Sequence, residues 1–462
     1  MTDRLYLDHA ATTAVRPEAA DAMAPWWGAT WGNAASAYAE GRAAKTALGE
    51  ARARVAALVG ARPEEVVFTS GATEASNLSV RGGAHIRRAG GKRVSTTAVE
   101  HPATRACCEQ LAVEGWDVTI HRVDGHGRLE VGGIELPHGT SVFTVIAGHN
   151  ELGTLQPLHE LAAIAERVGA YLHLDAVQTA GYVDVAEVPW HLLSLSAHKL
   201  GGPQGVGALV RRDRPTLSPV LVGSSQEAGL RPGTVPIALA AGFGAAAEAA
   251  RVHRDSESRR LAALRDRLGL ALLDAIPDSR ALGTWRTAPR DALPHIAAFG
   301  LTGVQGDEIV EALDRIGLAA SSSSACLSGA RSKTLDAIAL PLDVALLRLS
   351  LGWNTTEEDI ERAIGLIPDA IAELRALSAF DRRKGPLQRQ AEGVVALTEA
   401  HWEAARAVYE YHAKEGVLPG ARMLARLGAA SRVAELYPYG LNTLALWLGL
   451  PVPKGGCRPW AG

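Results

Sequence analysis

Short apolar runs alternate with longer amphipathic segments over residues 4–250, and this alternation constrains the possible fold more than any other feature of the sequence. Residues 66–69 are typical of a buried strand, and residues 72–80 of the helix that follows it. Further strands are predicted at residues 142–146, 171–174 and 192–195, and a further helix at residues 160–168. Because strands that alternate with helices form parallel sheets covered on both faces, we predict an α/β fold.

A chain of 462 residues is too long for a single ordinary core, and we expect two or three domains. Charged amphipathic helices are predicted at residues 251–273 and 356–377, at the two ends of a smaller domain. The Gly385-Pro386 pair breaks the helical pattern and indicates a linker. The predicted division is a large domain over 1–250, a small α/β domain over 251–378 with which the N-terminal segment can also pack, a linker over 379–396, and a mainly helical tail over 397–462.

The composition argues against several classes of protein. A net charge of −3 without a basic half argues against tight nucleic-acid binding. The first residues carry no secretory pattern, and the longest apolar run, residues 236–250, contains glycine and predicts a packed helix, not a membrane span. Four cysteines in a chain of this length do not form a disulfide framework, which favours a reducing cytoplasm. Their spacing is not that of metal ligands, so we predict no metal site.

Three short motifs together indicate a cofactor site. Lys199 follows an apolar strand and precedes glycines, so its amine either forms a Schiff base in a cleft or lies on the surface. Asp175 ends another strand, where it either keeps a pyridine nitrogen protonated or caps the next helix. The stretch SGATE, residues 70–74, lies between a strand and a helix, and it either binds phosphate or only begins that helix.

In their order and spacing these motifs resemble the NifS/IscS group of cysteine desulfurases, within the fold-type I pyridoxal-phosphate enzymes. The resemblance covers about residues 5–378. In chain order its motifs are YLDHAATT at 6–13, VFTSGATE at 67–74, EH at 100–101, NELG at 150–153, the segments around Asp175 and Lys199, LRPGT at 230–234, SAC at 324–326 and RLSLG at 348–352. The resemblance implies a mostly parallel sheet, a smaller α/β domain, and pyridoxal 5'-phosphate as the cofactor.

The resemblance also implies which residues contact the cofactor ring. Lys199 binds the cofactor covalently as a Schiff base and shuttles protons, and Asp175 pairs with the pyridine nitrogen. Gln178 contacts the ring hydroxyl, and His101 stacks on the ring. These four residues form the reactive part of the implied site.

Further residues are implied for the phosphate and for the substrate, L-cysteine. The phosphate is held within one subunit by Ala72, Thr73, Ser196 and His198. Thr234 reaches the phosphate across a subunit interface, so a homodimer is implied. Asn150 and Arg348 hold the substrate carboxylate, a task that suits the planar donors of a guanidinium group.

Cys326 lies in a run of small polar residues, 321–329, which favours an exposed thiol and thiolate chemistry. In the NifS/IscS group the corresponding cysteine attacks the sulfur of the substrate, so the products would be alanine and a persulfide on Cys326. Cys107 and Cys108 lie on a helix predicted at residues 103–111. Since neighbours on a helix face different directions, we expect one packed and one half-exposed structural thiol.

The tail begins with Thr398 as a predicted helix N-cap, and it contains LT-x-x-HW at 397–402, G-x-x-P-x-x-R at 416–422 and GLP-x-P…GC at 449–457. In these motifs the tail resembles the DsrC/TusE family of sulfur carriers. The resemblance implies that Cys457 accepts sulfur from Cys326. Leu446 lies near where some members have a second cysteine, which favours delivery to a tRNA thiouridylase for 2-thiouridine formation, with sulfur-oxidation metabolism as the alternative.

The chain departs from the NifS/IscS pattern at four places: His149 replaces an asparagine, Ala34 a proline, Ala228 an arginine and Ser323 a glycine. The segment from Cys326 to Arg348 is also shorter than in IscS-like members, so the nucleophile should have less reach toward scaffold proteins. Alternative activities are a selenocysteine lyase or an aminotransferase, although an aminotransferase has no use for a loop nucleophile. A non-catalytic sulfur-relay protein is a further alternative, against which the retained site residues argue.

Overall fold

The computed structural model describes residues 4–322, 331–391 and 398–429, and also residues 433, 444, 445, 448 and 450. Its strands are β1 Leu5–Tyr6, β2 Val66–Thr69, β3 Arg93–Thr97, β4 Asp117–His121, β5 Thr140–Ile146, β6 Tyr171–Asp175, β7 Leu192–Ser196, β8 Gly207–Arg211, β9 Ser279–Leu282, β10 Ile296–Thr302, β11 Leu318–Ala319 and β12 Val344–Ser350. Its helices are α1 Pro17–Met23, α2 Ala39–Leu58, α3 Ala72–Asn77, α4 Gly83–Arg87, α5 Pro102–Val113, α6 Leu158–Val168, α7 Ile237–Ala275, α8 Gly306–Arg315, α9 Lys333–Ala337, α10 Glu357–Ala391, α11 Glu399–Glu415 and α12 Ala421–Arg426.

The largest sheet has seven strands in the order β2-β8-β7-β6-β5-β3-β4. Its strands are parallel from β7 to β4, and β8 runs antiparallel to both of its neighbours. All seven residues of β5 are buried, as expected for a central strand with both faces covered. The predicted α/β fold is therefore confirmed, as are the strands expected near residues 66, 142, 171 and 192.

A second, smaller sheet is antiparallel, with the order β12-β10-β9, and β1 pairs with β11 in a separate parallel ladder. The long helix α7 joins the two parts, because Ala240–Ala250 side chains enter the core of the large sheet and Leu261–Leu272 side chains enter the core of the small one. Leu5 and Leu7 also belong to the second core. The helix expected at 251–273 is thus the C-terminal part of a longer one, and the domain boundaries stay predictions.

The carboxyl ends of β5, β6 and β7 meet at one edge of the large sheet. These strands end at Ile146, Asp175 and Ser196, and each is followed by an irregular or single-turn segment. In open parallel sheets this edge is where ligands bind, because the loops there diverge and leave a crevice. The topology therefore places Asp175, at the end of β6, beside the turn that follows β7 and contains Lys199.

The helix predicted at residues 356–377 is longer than expected. Helix α10 continues through Gly385-Pro386 to Ala391, where we expected the helix to end near residue 377. A proline removes one backbone hydrogen bond, but the arginine, lysine, leucine and glutamine residues on either side favour a helix. Within the described ranges, no helix has the length and apolar character that crossing a membrane requires.

The described part of the tail is helical. Helix α11 follows the predicted N-cap, Thr398, whose hydroxyl lies 2.8 Å from Nδ1 of His401, and it ends at Gly416, which has a φ of 71°. Val408 and Leu424 lie in a small apolar cluster of the tail, against which Ala376 of α10 packs. The tail therefore has apolar contacts of its own.

Cys107 and Cys108 are both buried, so the expectation of one half-exposed thiol is wrong. Helix α5 is covered on both sides at this point, since both cysteines share a cluster with Val94, Leu111 and Trp116. Burial raises the pKa of Cys107 to about 11 and that of Cys108 to about 12. Both are structural thiols.

Candidate active site

A cavity of about 400 Å³ opens at the carboxyl edge of the large sheet. Ten of the residues predicted for the site line it: Ala72, Thr73, His101, Asn150, Asp175, Gln178, Ser196, His198, Lys199 and Arg348. Thr234 is exposed and does not line this cavity. Cys326 and Cys457 lie outside the described residues. The structure therefore brings together, from six or more separate chain segments, the residues predicted to bind the cofactor and the substrate.

Lys199 ends a single helical turn, Ala197–Lys199, directly after β7. Its Nζ donates hydrogen bonds to the carbonyl oxygens of Ala10 and Ala11. The carbonyl of Ala10 also accepts a hydrogen bond from Nε2 of Gln178 at 2.8 Å. The lysine amine is therefore held at the cavity wall by backbone acceptors, where it can reach a carbonyl compound in the cavity.

Asp175 is the last residue of β6 and is 5% exposed. Its Oδ1 accepts a hydrogen bond from the backbone N–H of Val177 at 3.2 Å. Burial raises the pKa of Asp175, and the neighbouring His101 opposes that effect. A buried carboxylate is stable when it has a positive partner, and the N–H of a protonated pyridine ring would supply one.

The loop between β2 and α3 forms the end of the cavity suited to phosphate. Glu74 accepts a hydrogen bond from the backbone N–H of Ser70 at 2.6 Å, which fixes the start of this loop. A Cβ atom on Gly207 would lie only 2.7 Å from Cα of Gly71, so β8 packs directly against the loop. Backbone N–H groups at a helix start, together with the hydroxyl group of Thr73, suit an anion.

His198 and Ser196 lie opposite that loop. Nδ1 of His198 is 3.1 Å from the hydroxyl oxygen of Thr12. Burial lowers the pKa of His198 to about 4, with the nearby Lys199 acting in the same direction. His198 is therefore neutral near pH 7, and it could bind a phosphate only through hydrogen bonding, not through charge.

His101 is the N-cap of α5, and its Nδ1 accepts a hydrogen bond from the backbone N–H of Ala103 at 3.2 Å. Because Nδ1 accepts this hydrogen bond, the neutral ring carries its proton on Nε2, and burial lowers the pKa of His101. This bond fixes the plane of the imidazole beside the cavity. A neutral, oriented ring suits the predicted stacking role.

Arg348 and Asn150 are in contact with each other, and both line the cavity. Arg348 is 1% exposed, and its Nη1 donates to the carbonyl oxygen of Asn150 at 2.9 Å. Its Nη2 donates to Oδ1 of Asp8 at 2.6 Å. Among the described residues, Nε of Arg348 has no hydrogen-bond partner. The buried Nε is not available to a ligand, but Nη1 and Nη2 each keep a second N–H that could bind a carboxylate.

The N-terminal segment supplies functional contacts that the sequence interpretation missed. Asp8 binds Arg348, the Ala10 and Ala11 carbonyls bind Lys199, and Thr12 binds His198. Ser76 of α3 also lines the cavity. The run YLDHAATT was part of the family resemblance, but its residues had been given no roles. The sequence therefore marks this run as a motif, but it does not show which residues the run contacts.

The fold and the site together define a class of protein. The aminotransferase class-V family matches residues 5–363. The cysteine desulfurase IscS of Dictyoglomus turgidum is 37% identical over 389 residues, which cover 82% of this chain and 98% of that protein. The cysteine desulfurase NifS of Azotobacter vinelandii is 37% identical over 393 residues, which cover 83% and 96%. The chain belongs to this family, in its group of NifS/IscS-type cysteine desulfurases.

Solved structures agree with this assignment. A NifS-like protein matches with a TM-score of 0.74 and 26% identity, over 80% of this chain and 99% of that one. DndA from Streptomyces lividans matches with a TM-score of 0.63 and 33% identity, over 75% of this chain and 99% of that one. Residues 364–462 lie beyond the family match.

Members of this family depend on pyridoxal 5'-phosphate, and the cavity fits that cofactor. Lys199 would bind it covalently, Asp175 would pair with its ring nitrogen, and the loop at Thr73 would hold its phosphate. The fit rests on the buried carboxylate of Asp175 and on the loop at residues 70–73, which lines the cavity and packs closely against Gly207.

Proposed function

We propose that the protein is a pyridoxal-phosphate-dependent cysteine desulfurase that converts L-cysteine to L-alanine and leaves the sulfur as a persulfide on Cys326. The observation that carries this proposal is the convergence of Lys199, Asp175 and Arg348 on one cavity. The chain aligns with 98% and 96% of the lengths of the two relatives described above, and both relatives are named cysteine desulfurases.

The roles of the chain's own residues follow from their positions. When bound, pyridoxal phosphate supplies an electron sink for bonds at the α and β carbons of the amino acid. Arg348 and Asn150 would bind the cysteine carboxylate, and the Lys199 amine, which lines the same cavity, would take and return a proton at the substrate carbons. His101, held with its proton on Nε2, would cover the ring and limit the access of water.

Cys326 would act as the nucleophile. Its thiolate would attack the substrate sulfur, so that an S–S bond forms while the bond between Cβ and sulfur breaks, and a proton added at Cβ completes alanine. Residues on both sides of its segment are fixed near the site. Ser321 pairs through its backbone with Arg348, and Ser332 caps α9 by accepting the N–H of Thr334 at 3.2 Å.

The test is to compare Cys326→Ala with the wild type. The variant should bind pyridoxal phosphate and change its absorbance when cysteine is added, because Lys199 and Arg348 are intact. It should release almost no alanine, because no thiolate attacks the sulfur. Alanine release close to that of the wild type would show that Cys326 is not the nucleophile.

The protein is proposed to act as a homodimer in which Thr234 completes the phosphate site of the partner. Thr234 is exposed on a segment that Arg231 links to Glu74 of α3, with 3.6 Å between the charged atoms. Gly223 packs closely against the same segment, since a Cβ atom on Gly223 would lie 2.6 Å from Cβ of Pro232. The adjacent Val222, which is 90% exposed, therefore lies beside that segment. An exposed apolar side chain beside the cofactor loop suits an interface.

The tail is proposed to be a sulfur carrier, with Cys457 receiving sulfur from Cys326 and passing it on to a tRNA thiouridylase. The support is the sequence resemblance of residues 397–457 to DsrC/TusE carriers, and the small apolar cluster that includes Val408 and Leu424. Transfer between the two thiols requires thiolate attack on the outer persulfide sulfur.

Mass spectrometry after incubation with sulfur-labelled cysteine tests the relay. Label should appear on Cys326 and Cys457 in the wild type, on Cys326 alone in Cys457→Ser, and on neither in Cys326→Ser. Because both thiols belong to one chain, labelling of Cys457 should not depend on protein concentration. A steep fall on dilution would mean transfer between separate dimers, and the tethered relay would be wrong.

A further inference from the structure

His149 lies in the turn after β5 and is 1% exposed. Its Nδ1 accepts hydrogen bonds from two backbone N–H groups, those of Glu151 and Leu152, each at 3.1 Å. Because a nitrogen that accepts two N–H groups carries no proton, this side of the ring closes the turn that presents Asn150 to the cavity.

The other ring nitrogen faces a different part of the chain. Nε2 of His149 lies 3.2 Å from the hydroxyl oxygen of Thr334, in the first turn of α9. Burial lowers the pKa of His149 to about 3, against an opposing backbone hydrogen bond with Val99. The ring is therefore neutral at working pH, with a fixed acceptor at Nδ1 and a fixed donor at Nε2.

The segment that contains Cys326 is attached to the substrate-binding residues at both of its ends. Thr334 follows the segment that contains Cys326, and Ser321 precedes it. Ser321 is joined to Arg348 by two backbone hydrogen bonds, of 2.7 and 3.3 Å. The chain before Cys326 is thus attached to the residue that would bind the substrate carboxylate. Through His149, the chain after Cys326 is attached to the turn of Asn150, the other such residue.

We propose that His149 is a positioning residue that sets the sulfur nucleophile against the bound substrate: Nδ1 shapes the Asn150 turn, and Nε2 holds Thr334, from which the chain leads back to Cys326. The proposal rests on the proposed desulfurase function. An asparagine, the residue expected here from the NifS/IscS pattern, could replace only the first contact. The amide group of an asparagine lies as far from the backbone as Nδ1 of the histidine does. It is therefore too short to reach the hydroxyl group of Thr334.

Two substitutions separate the two contacts. In His149→Asn, the side-chain oxygen can accept the N–H groups of the turn, but nothing reaches Thr334. In His149→Gln, the longer side chain places an N–H donor where Nε2 lies and loses the acceptor at Nδ1. Two quantities are measured on the holoenzyme: the Kd for cysteine, from the change in cofactor absorbance, and the rate of alanine formation at saturating cysteine.

The proposal predicts opposite effects. His149→Asn should leave the Kd for cysteine near the wild-type value and slow alanine formation by about 2- to 12-fold, the range expected for one lost neutral hydrogen bond. His149→Gln should raise the Kd by a similar or larger factor and slow alanine formation less. Equal effects of the two variants on both quantities would mean that the histidine is only structural, and would overturn the proposal.

Thr334→Val provides the matched control, because it removes the partner hydroxyl and leaves His149 in place. It should reproduce the slow alanine formation of His149→Asn, and adding it to His149→Asn should slow the reaction no further. Wild-type rates in Thr334→Val would overturn the proposal even if the histidine variants fail to fold. A wild-type protein that forms no alanine would instead refute the desulfurase function itself.

Discussion

Arg348 and Asp8 form an ion pair at the substrate end of the cavity, with 2.6 Å between Nη2 and Oδ1, although 340 residues separate them in the chain. The same guanidinium group donates to the carbonyl oxygen of Asn150. The arginine is therefore held between the N-terminal segment and the turn after β5. Its orientation is fixed before any substrate binds.

Replacing Arg348 by alanine should weaken cysteine binding by about 10- to 100-fold, because a charge-assisted hydrogen bond contributes about 1.5–3 kcal/mol. The measurement is the dependence of alanine formation on cysteine concentration. The cofactor absorbance serves as the control, since Lys199 and Asp175 are unchanged. An unaltered concentration dependence would count against the carboxylate-binding role.

Asp8→Asn should have a smaller effect in the same direction. The amide oxygen still accepts from Arg348, but the bond is no longer between charges, so we expect the Kd for cysteine to rise by about 2- to 12-fold. The comparison with Arg348→Ala uses the same dependence of alanine formation on cysteine concentration. An effect larger than that of Arg348→Ala would show that Asp8 does more than orient the arginine.

Much of this site could be predicted from the sequence, because its residues lie at predictable ends of elements. Asp175 and Lys199 each follow an apolar strand, and parallel strands bring their carboxyl ends to one edge. The contacts of Asp8 with Arg348 and of His149 with Thr334 join segments that are distant in the chain. Local patterns carry no information on such pairs, so these contacts were visible only in the structure.

Two local predictions failed for reasons of context. Gly385-Pro386 is a strong breaking signal, but the backbone of α10 passes through it because strong helix formers lie on both sides. Cys107 and Cys108 face different directions on α5, but the helix is covered on both sides. Burial is a property of the neighbours in space, and adjacent positions on a helix do not reveal it.

The buried cysteines should resist alkylation. Because burial raises the pKa of Cys107 to about 11 and that of Cys108 to about 12, the thiolate fraction of each near neutral pH is at least ~100-fold below that of an ordinary exposed thiol. Peptide mapping after brief treatment of the folded protein with iodoacetamide should find both unmodified. The same treatment in urea should modify both. Rapid modification of either thiol in the folded protein would contradict the described packing.

Glu100 should make the folded protein less stable as the pH rises. It is 2% exposed, and burial raises its pKa from 4.5 to about 8, against opposing hydrogen bonds from Thr97 and Ile146. The native state therefore holds this proton more tightly than the unfolded chain. The stabilisation that results is complete below pH 4.5 and is lost as the pH rises through about 8.

Glu100→Gln removes this titration while keeping the size of the side chain. The free energy of unfolding of the wild type, minus that of the variant, should fall between about pH 5 and 8 by up to ~1.4 kcal/mol per pH unit. Urea unfolding of the cofactor-free proteins measures it, and the subtraction removes the contribution of the buried histidines. A difference that stays constant with pH would mean that Glu100 is already ionised in the folded state.

If this cavity converts cysteine to alanine through a cofactor bound to Lys199, the amino-acid product of the purified holoenzyme supplied with L-cysteine will show it, with Lys199→Ala as the matched variant. We expect alanine from the wild type, in an amount equal to the sulfur recovered as persulfide and sulfide, and none from Lys199→Ala. Pyruvate and ammonia in place of alanine, or cysteine left unchanged by a protein that has bound pyridoxal phosphate, would contradict it.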